Sequence, residues 1–146
     1  MYKILHIELD KNPVILTRAV LPKDDKKEIK DKNSKQFVNL FDVSLTISVK
    51  NRDEIFDFSI PANKGYVFDG ATIPFNIGKG NMKLLIPALF HDITCERKEL
   101  VFYERKLSSL IFEALLLECK VPFIKAVLMY YAVDNYQKFC PDWNYT

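Results

Sequence analysis

The sequence is poor in the residues that carry most metal and thiol chemistry: its 146 residues include only two histidines and three cysteines. Cys95, Cys119 and Cys140 are far apart and form no C-x-x-C pair. This spacing argues against a disulfide framework and against a zinc site built from thiolates alone. Three reduced thiols are typical of a cytoplasmic protein.

An excess of one charge is also missing, since 21 basic residues are balanced by 19 acidic ones. Nucleic-acid binding is therefore not predicted. The longest apolar runs, 84–90 and 126–133, are much shorter than the roughly 20 residues that span a bilayer, so no membrane span is predicted. Charge within the first residues is unlike a secretory signal peptide, and we expect the protein to stay in the cytoplasm.

Common nucleotide and metalloprotease motifs are absent from the sequence. It contains no G-x-x-x-x-G-K-[ST], no G-x-G-x-x-G and no H-E-x-x-H. These absences argue against P-loop, dinucleotide-binding and zincin chemistry.

Two stretches of strict alternation predict antiparallel hairpins. Apolar residues alternate over 43–49 and again over 56–60, with a polar turn between them. A shorter alternation over 5–9 is followed by turn residues at 10–13 and an apolar run at 14–16, which predicts an opening hairpin.

The second half of the sequence has helical periodicity. Pro87 is predicted to lie in the first turn of a helix that continues through Cys95 and places His91 and Cys95 on one face. A second helix is indicated by apolar residues at helical spacing: Leu107, Leu110, Ile111, Ala114 and Leu115. Pro122 opens a third helix, whose apolar stripe consists of Ile124, Val127, Leu128 and Tyr131.

Strands first and helices last predict an α+β fold, with an N-terminal, mainly antiparallel sheet of hairpins followed by about three C-terminal helices. The length favours a single domain over 1–146. Residues 23–36 are rich in both lysine and acidic residues and have almost no apolar side chains. We predict that this segment is a charged surface loop.

The segment Asp69-Gly70-Ala71-Thr72-Ile73-Pro74 is the first candidate for a functional site. An Asp-Gly step commonly reverses the chain, because glycine adopts positive φ without steric cost, and a tight turn is the simpler interpretation. The alternative is that Asp69 and Thr72 are presented beside the helix that carries His91 and Asp92, so that carboxylates, hydroxyl and imidazole converge.

His91 and Asp92 form the second candidate. Adjacent helical residues point about 100° apart, so the two side chains are predicted to use different partners. Between Phe90 and Ile93, His91 fits a hydrogen-bonded core position, and the alternative is a ligand of a divalent metal. Cys95 is at helical spacing from His91, but one helix seldom gives a nucleophile and its base convergent geometry.

The order of several motifs resembles a phage and prophage family known as domain of unknown function 1353. The motifs are Phe58-Ser59-Ile60-Pro61, Gly65, the segment from Asp69 to Pro74, Pro87-Ala88 and His91-Asp92. The resemblance implies a viral or prophage origin and a shared fold, and it carries no established activity. It also implies an acidic residue in the next helix, where this sequence has Ser108-Ser109.

Two functions are consistent with these observations. The first is a phage accessory or virion-associated protein that binds another phage or host protein, in the host cytoplasm or on the virion. The second is a hydrolase that uses Asp69, Thr72, His91 and Asp92 as catalytic groups, with Asp69, His91 and Asp92 as ligands if a divalent metal is the cofactor. Burial of His91 with its ring nitrogens bonded to the backbone would favour the first, and a broad apolar patch would favour it as well. Exposed Asp69, His91 and Asp92 within metal-ligand reach would favour the second.

Overall fold

The computed structural model describes residues 1–19, 35–68, 82–138 and Trp143. Within these residues the strands come first: β1 (Tyr2–Leu9), β2 (Ile15–Ala19), β3 (Lys35–Asn39), β4 (Val43–Asn51), β5 (Glu54–Ala62) and β6 (Val67–Phe68). They form two antiparallel three-stranded sheets, in the orders β1-β4-β5 and β2-β3-β6. The predicted antiparallel, N-terminal sheet region is confirmed.

The β4–β5 hairpin is the one that the longest alternation predicted. Ile47 pairs with Phe58, and the ladder continues to Asn51 opposite Glu54. Arg52 adopts a positive φ of 59° in the turn between them. Alternate residues of β4 are buried, because successive side chains point to opposite faces of a sheet.

The predicted opening hairpin is wrong. β1 pairs with β4 and not with β2, whose own partner is β3. The turn residue Asp10 instead anchors the end of β1 to β4: its backbone N–H donates to the Ser44 carbonyl over 3.0 Å, and its carboxylate accepts from the Ser44 N–H over 2.9 Å. Alternation determines which face of a strand is apolar but leaves the choice of neighbouring strand open.

Three α-helices follow among the described residues: α1 (Met82–Glu96), α2 (Arg105–Glu118) and α3 (Phe123–Lys138). A short 3-10 helix, Lys98–Val101, connects α1 to α2. The predicted α+β order is therefore confirmed. α1 begins five residues earlier than expected, and Pro87 lies inside it rather than in its first turn. An internal proline costs about 3 kcal/mol or more, which burial of Leu84, Leu85 and Leu89 helps to offset.

The core lies between sheet β1-β4-β5 and the helices, with α2 against β1 and α1 against β5. Fully buried side chains from the sheet, such as Ile47 and Ile60, meet Phe90 of α1 and Phe112 of α2 in one apolar cluster. α3 packs on α2. None of the described helices is long and apolar enough to cross a membrane.

β3 begins at Lys35, so the last two positions of the predicted charged loop, 35 and 36, belong to a strand. Residues 23–34 lie outside the described residues, and so does the segment from Asp69 to Pro74.

Candidate functional site

His91 lies on the side of α1 that faces the other helices. It is 3% exposed, and its ring centroid is 5.2 Å from that of Phe112 in α2. Burial disfavours the charged imidazolium and lowers the pKa of His91 to about 4. The ring is therefore neutral at physiological pH.

The polar partner of His91 is Gln137, near the end of α3. The Gln137 amide nitrogen lies 2.8 Å from His91 Nε2. An amide nitrogen only donates, so Nε2 must accept, which assigns the proton of the neutral ring to Nδ1. His91 thus connects α1 to α3.

Cys95 joins His91 one helical turn later, as their spacing predicted. Its Sγ lies 3.8 Å from Nδ1 and 3.9 Å from Nε2 of His91, and it accepts a hydrogen bond from Gln137 Nε2 over 2.9 Å. Burial, reinforced by the Asp92 carboxylate, raises the pKa of the Cys95 thiol to about 12. Reactive cysteines need the thiolate, so this environment does not activate Cys95 as a nucleophile.

The contacts of Gln137 continue into a buried network. Ser109 donates to Gln137 Oε1 over 3.2 Å and lies 3.0 Å from Asp134 Oδ1. The same Asp134 oxygen accepts from Arg105, whose Nη1 also donates to the Asp134 backbone carbonyl over 3.1 Å. We refer to His91, Cys95, Arg105, Ser109, Asp134 and Gln137 as the buried polar cluster. It joins all three α-helices.

The two serines that stand where the resemblance implies an acid are both buried. Ser109 belongs to the buried polar cluster, and Ser108 Oγ lies 2.7 Å from Thr94 Oγ1 of α1. Thr94 also donates to the His91 carbonyl over 2.9 Å. A carboxylate beside this part of α2 is supplied instead by Asp134 of α3.

Asp92 has different surroundings from His91. Its carboxylate, together with that of Glu96 one turn later, lies near Tyr66 just before β6. The Tyr66 hydroxyl is buried and has no hydrogen bond of standard length to a described residue. Burial and, to a smaller extent, these two carboxylates raise the pKa of Tyr66. The side of α1 that carries Asp92 therefore points toward the end of the second sheet.

The side chains of Asp69, Thr72, His91 and Asp92 were predicted to converge. Two of these residues, Asp69 and Thr72, lie outside the described residues. Within the described ranges, no group of three or more His, Cys, Asp or Glu side chains is arranged to hold a metal ion. The catalytic and metal-binding roles of this set stay predictions.

Arg105, Ser109, Asp134 and Gln137 were not identified from the sequence. Gln137 lies 46 residues from His91 and Asp134 lies 29 residues from Arg105, so no local spacing connects them. The feature of the sequence that could have identified these four residues is the presence of polar side chains on the apolar sides of α2 and α3.

Two surface grooves lie elsewhere. One, of about 650 Å³, lies between the β4–β5 turn, the start of β1 and α2, and the other, of about 500 Å³, runs along β1 and α2. Tyr2 and Leu110 line both grooves. Neither groove is lined by His91, Asp92 or Cys95. The candidate residues of α1 therefore do not lie in either of these two grooves.

Three of the four residues of the apolar stripe predicted on α3 face solvent, and the fourth, Val127, is half-buried. Ile124 is 74%, Leu128 62% and Tyr131 58% exposed, and Phe123 beside them is 69% exposed. We refer to Ile124, Leu128 and Tyr131 as the outer face of α3. The opposite side of the helix packs on the domain through Ala126, Met129, Val133 and Gln137. α3 is apolar on both sides, whereas the described part of the domain covers only one of them.

The fold and the buried polar cluster define an α+β protein whose helical layer is joined by side-chain hydrogen bonds around one neutral histidine. The chain matches, over residues 42–133, the family described as Protein of unknown function (DUF1353). This match covers more than half of the chain, which belongs to that family. No curated protein and no solved structure matches the chain.

Proposed function

We propose that this protein is a phage- or prophage-type accessory protein, in the host cytoplasm or on the virion, that works by binding another protein through the outer face of α3. The motif resemblance supports the phage context, and the exposed outer face of α3 supports the mode of action.

The exposure of the outer face is the observation that carries the proposal. Single exposed apolar residues are common on protein surfaces and need no explanation. Here three large ones, Ile124, Leu128 and Tyr131, share one side of a single helix, and Phe123 is exposed at the first residue of that helix. Contiguous apolar patches of this kind mark interaction sites, because covering each large side chain is worth about 1.5–3 kcal/mol.

The state of His91 also supports binding over chemistry. Its ring is buried, neutral and bonded to Gln137, and the thiol beside it is held protonated. A general base must reach the proton that it abstracts, and an imidazole closed off by α2 and α3 does not offer that access. The hydrolase alternative requires Asp69 and Thr72 to open a site on the Asp92 side of α1.

Site-specific photo-crosslinking tests the proposal. Benzoylphenylalanine would replace Leu128 on the outer face or, as a control, the exposed Ser59 on β5. In cells that carry the natural locus, we expect a discrete protein adduct from position 128 and none from position 59. The adduct should disappear when Tyr131→Glu is added. No adduct from position 128, or equal adducts from both positions, would exclude the outer face as the binding surface.

A further inference from the structure

Four of the exposed residues of α3 have the spacing of a coiled-coil seam. Ile124, Leu128, Tyr131 and Asn135 are separated by four, three and four residues, and all four are exposed. This is the d-a-d-a order of a heptad, in which Asn135 is a polar residue at an a position. We refer to these four residues as the α3 seam.

No described part of the domain obstructs this seam. The side chains that attach α3 to its own domain, Ala126, Met129 and Val133, are buried on the opposite side of the helix. A second helix that packs along the seam would therefore contact solvent-exposed side chains. The domain attached to that second helix would lie on the side away from the first domain.

The charges beside the seam do not select an oppositely charged partner. The flanking e and g positions hold Lys125, Val127, Ala132 and Asp134, and Asp134 is already paired with Arg105. Partner choice in coiled coils is usually set by complementary charges at these positions. An identical helix brings no charge into the seam and meets apolar flanks at Val127 and Ala132.

We propose that α3 pairs with α3 of a second copy of this chain, in parallel about a two-fold axis. This inference rests on the proposed function and names the partner of the same surface. Parallel pairing places Asn135 of one copy against Asn135 of the other, where the two amides can bond to each other. Antiparallel pairing would place Asn135 against Ile124 and leave a buried amide without a partner.

The size of the seam sets the strength of the pair. A fully covered aromatic side chain buries about 150–250 Å², so the exposed parts of the α3 seam together offer on the order of 400 Å² per copy. This lies at the small end of specific interfaces, below about 1,200 Å² in total. We therefore expect a reversible, concentration-dependent dimer.

Sedimentation velocity of the reduced, full-length chain tests the pairing. Wild type should shift from one 17.0 kDa chain toward two as its concentration rises from micromolar to several hundred micromolar. Leu128→Glu should stay monomeric throughout, because it places two carboxylates face to face. Leu117→Glu, at a leucine of α2 that is 39% exposed, is the matched control and should dimerise like wild type. A monomeric wild type at the highest concentration, or a dimer unaffected by Leu128→Glu, would overturn the proposal.

A charge-swap experiment tests the direction of pairing. Asn135→Asp and Asn135→Lys should each weaken the dimer, and an equimolar mixture should form a heterodimer if position 135 faces position 135. A mixture no more associated than its components would exclude the parallel arrangement. A monomeric wild type that still gives an adduct to a different protein from position 128 would reject self-pairing and leave the proposed function intact.

Discussion

The Gln137 side-chain nitrogen lies 2.8 Å from Nε2 of His91, so the end of α3 is joined to the middle of α1 by a buried hydrogen bond. The same nitrogen donates to Cys95 Sγ, and the Gln137 oxygen accepts from Ser109. One amide therefore satisfies polar groups on α1 and α2. This arrangement makes Gln137 the residue through which the buried polar cluster can be disrupted most selectively.

Gln137→Leu should destabilise the domain without changing its size. It preserves the apolar stem but leaves His91 Nε2 without its donor, and a buried unsatisfied group costs about 1–3 kcal/mol. Ser109 keeps its hydrogen bond to Asp134. Urea unfolding followed by circular dichroism should show a lower midpoint and an unchanged slope. Lys106→Gln, at an exposed position of α2, should leave the midpoint unchanged. A wild-type midpoint for Gln137→Leu would show that the hydrogen bonds of Gln137 contribute nothing to stability.

The depressed pKa of His91 predicts a loss of stability in acid. The unfolded chain takes up a proton at this histidine near its ordinary pKa of 6.5, whereas the folded chain does so only near 4. Lowering the pH through this window therefore favours unfolding, and it removes roughly 3 kcal/mol at 1.36 kcal/mol per pKa unit.

The comparison that isolates this effect is wild type against His91→Gln, a neutral side chain that can still bond to Gln137. As the pH falls from 6.5 to 4, wild type should lose roughly 3 kcal/mol of unfolding free energy relative to His91→Gln, because only wild type has a group at position 91 that takes up a proton on unfolding. In a His6→Gln background, the imidazole NMR signals should also show a neutral His91 at pH 5. A His91 ring that titrates near 6.5 would contradict the buried, neutral assignment.

Local patterns predicted the elements whose partners are close in sequence. The β4–β5 hairpin followed from alternation on both sides of a short turn, and the face shared by His91 and Cys95 followed from one helical turn. The pairing of β1 with β4 was not predicted, since Ile7 alternates in the same way whichever strand lies beside it. Long-range neighbours depend on how the whole chain closes, and no short window contains that information.

In the candidate site, too, local features were predicted from the sequence and long-range partners were not. The burial of His91 agrees with the interpretation of this residue as a core histidine, drawn from its apolar neighbours Phe90 and Ile93. Its partner Gln137 was missed because helical periodicity marks the side of a helix but not what lies across from it. The stripe from Ile124 to Tyr131 was recognised, although periodicity could not tell whether the domain's own core or solvent lies against it.

Asn39 should be critical for the connection between the two sheets. This fully buried residue at the end of β3 donates from Nδ2 to the carbonyls of Phe41, Ala62 and Asn63, at 2.8, 3.1 and 3.1 Å. Asn39→Ala removes the shared donor and should cost about 1–3 kcal/mol in urea unfolding. Asn51→Ala, which removes an exposed contact to the chain's amino group, is the matched control and should have little effect. Equal effects of the two substitutions would argue against this role for Asn39.

The ion pair between Arg105 and Asp134 should be costly to break from one side. The two side chains are only 14% and 12% exposed, and Asp134 also lies within hydrogen-bond distance of Ser109. Asp134→Ala leaves the guanidinium buried without its counter-charge, a change that costs about 3–5 kcal/mol. Replacing both partners, as in Arg105→Met with Asp134→Ala, should recover much of that loss because no unpaired charge is left.

The exposed pair of Arg97 and Glu99, both about half exposed, provides the comparison. Glu99→Gln should leave the urea midpoint within experimental error of wild type, because solvent already screens that pair. If Asp134→Ala were as mild as Glu99→Gln, the Arg105 head group would have to reach water in the variant. If the double variant were less stable than Asp134→Ala alone, Arg105 would stabilise the helices by packing and not by charge.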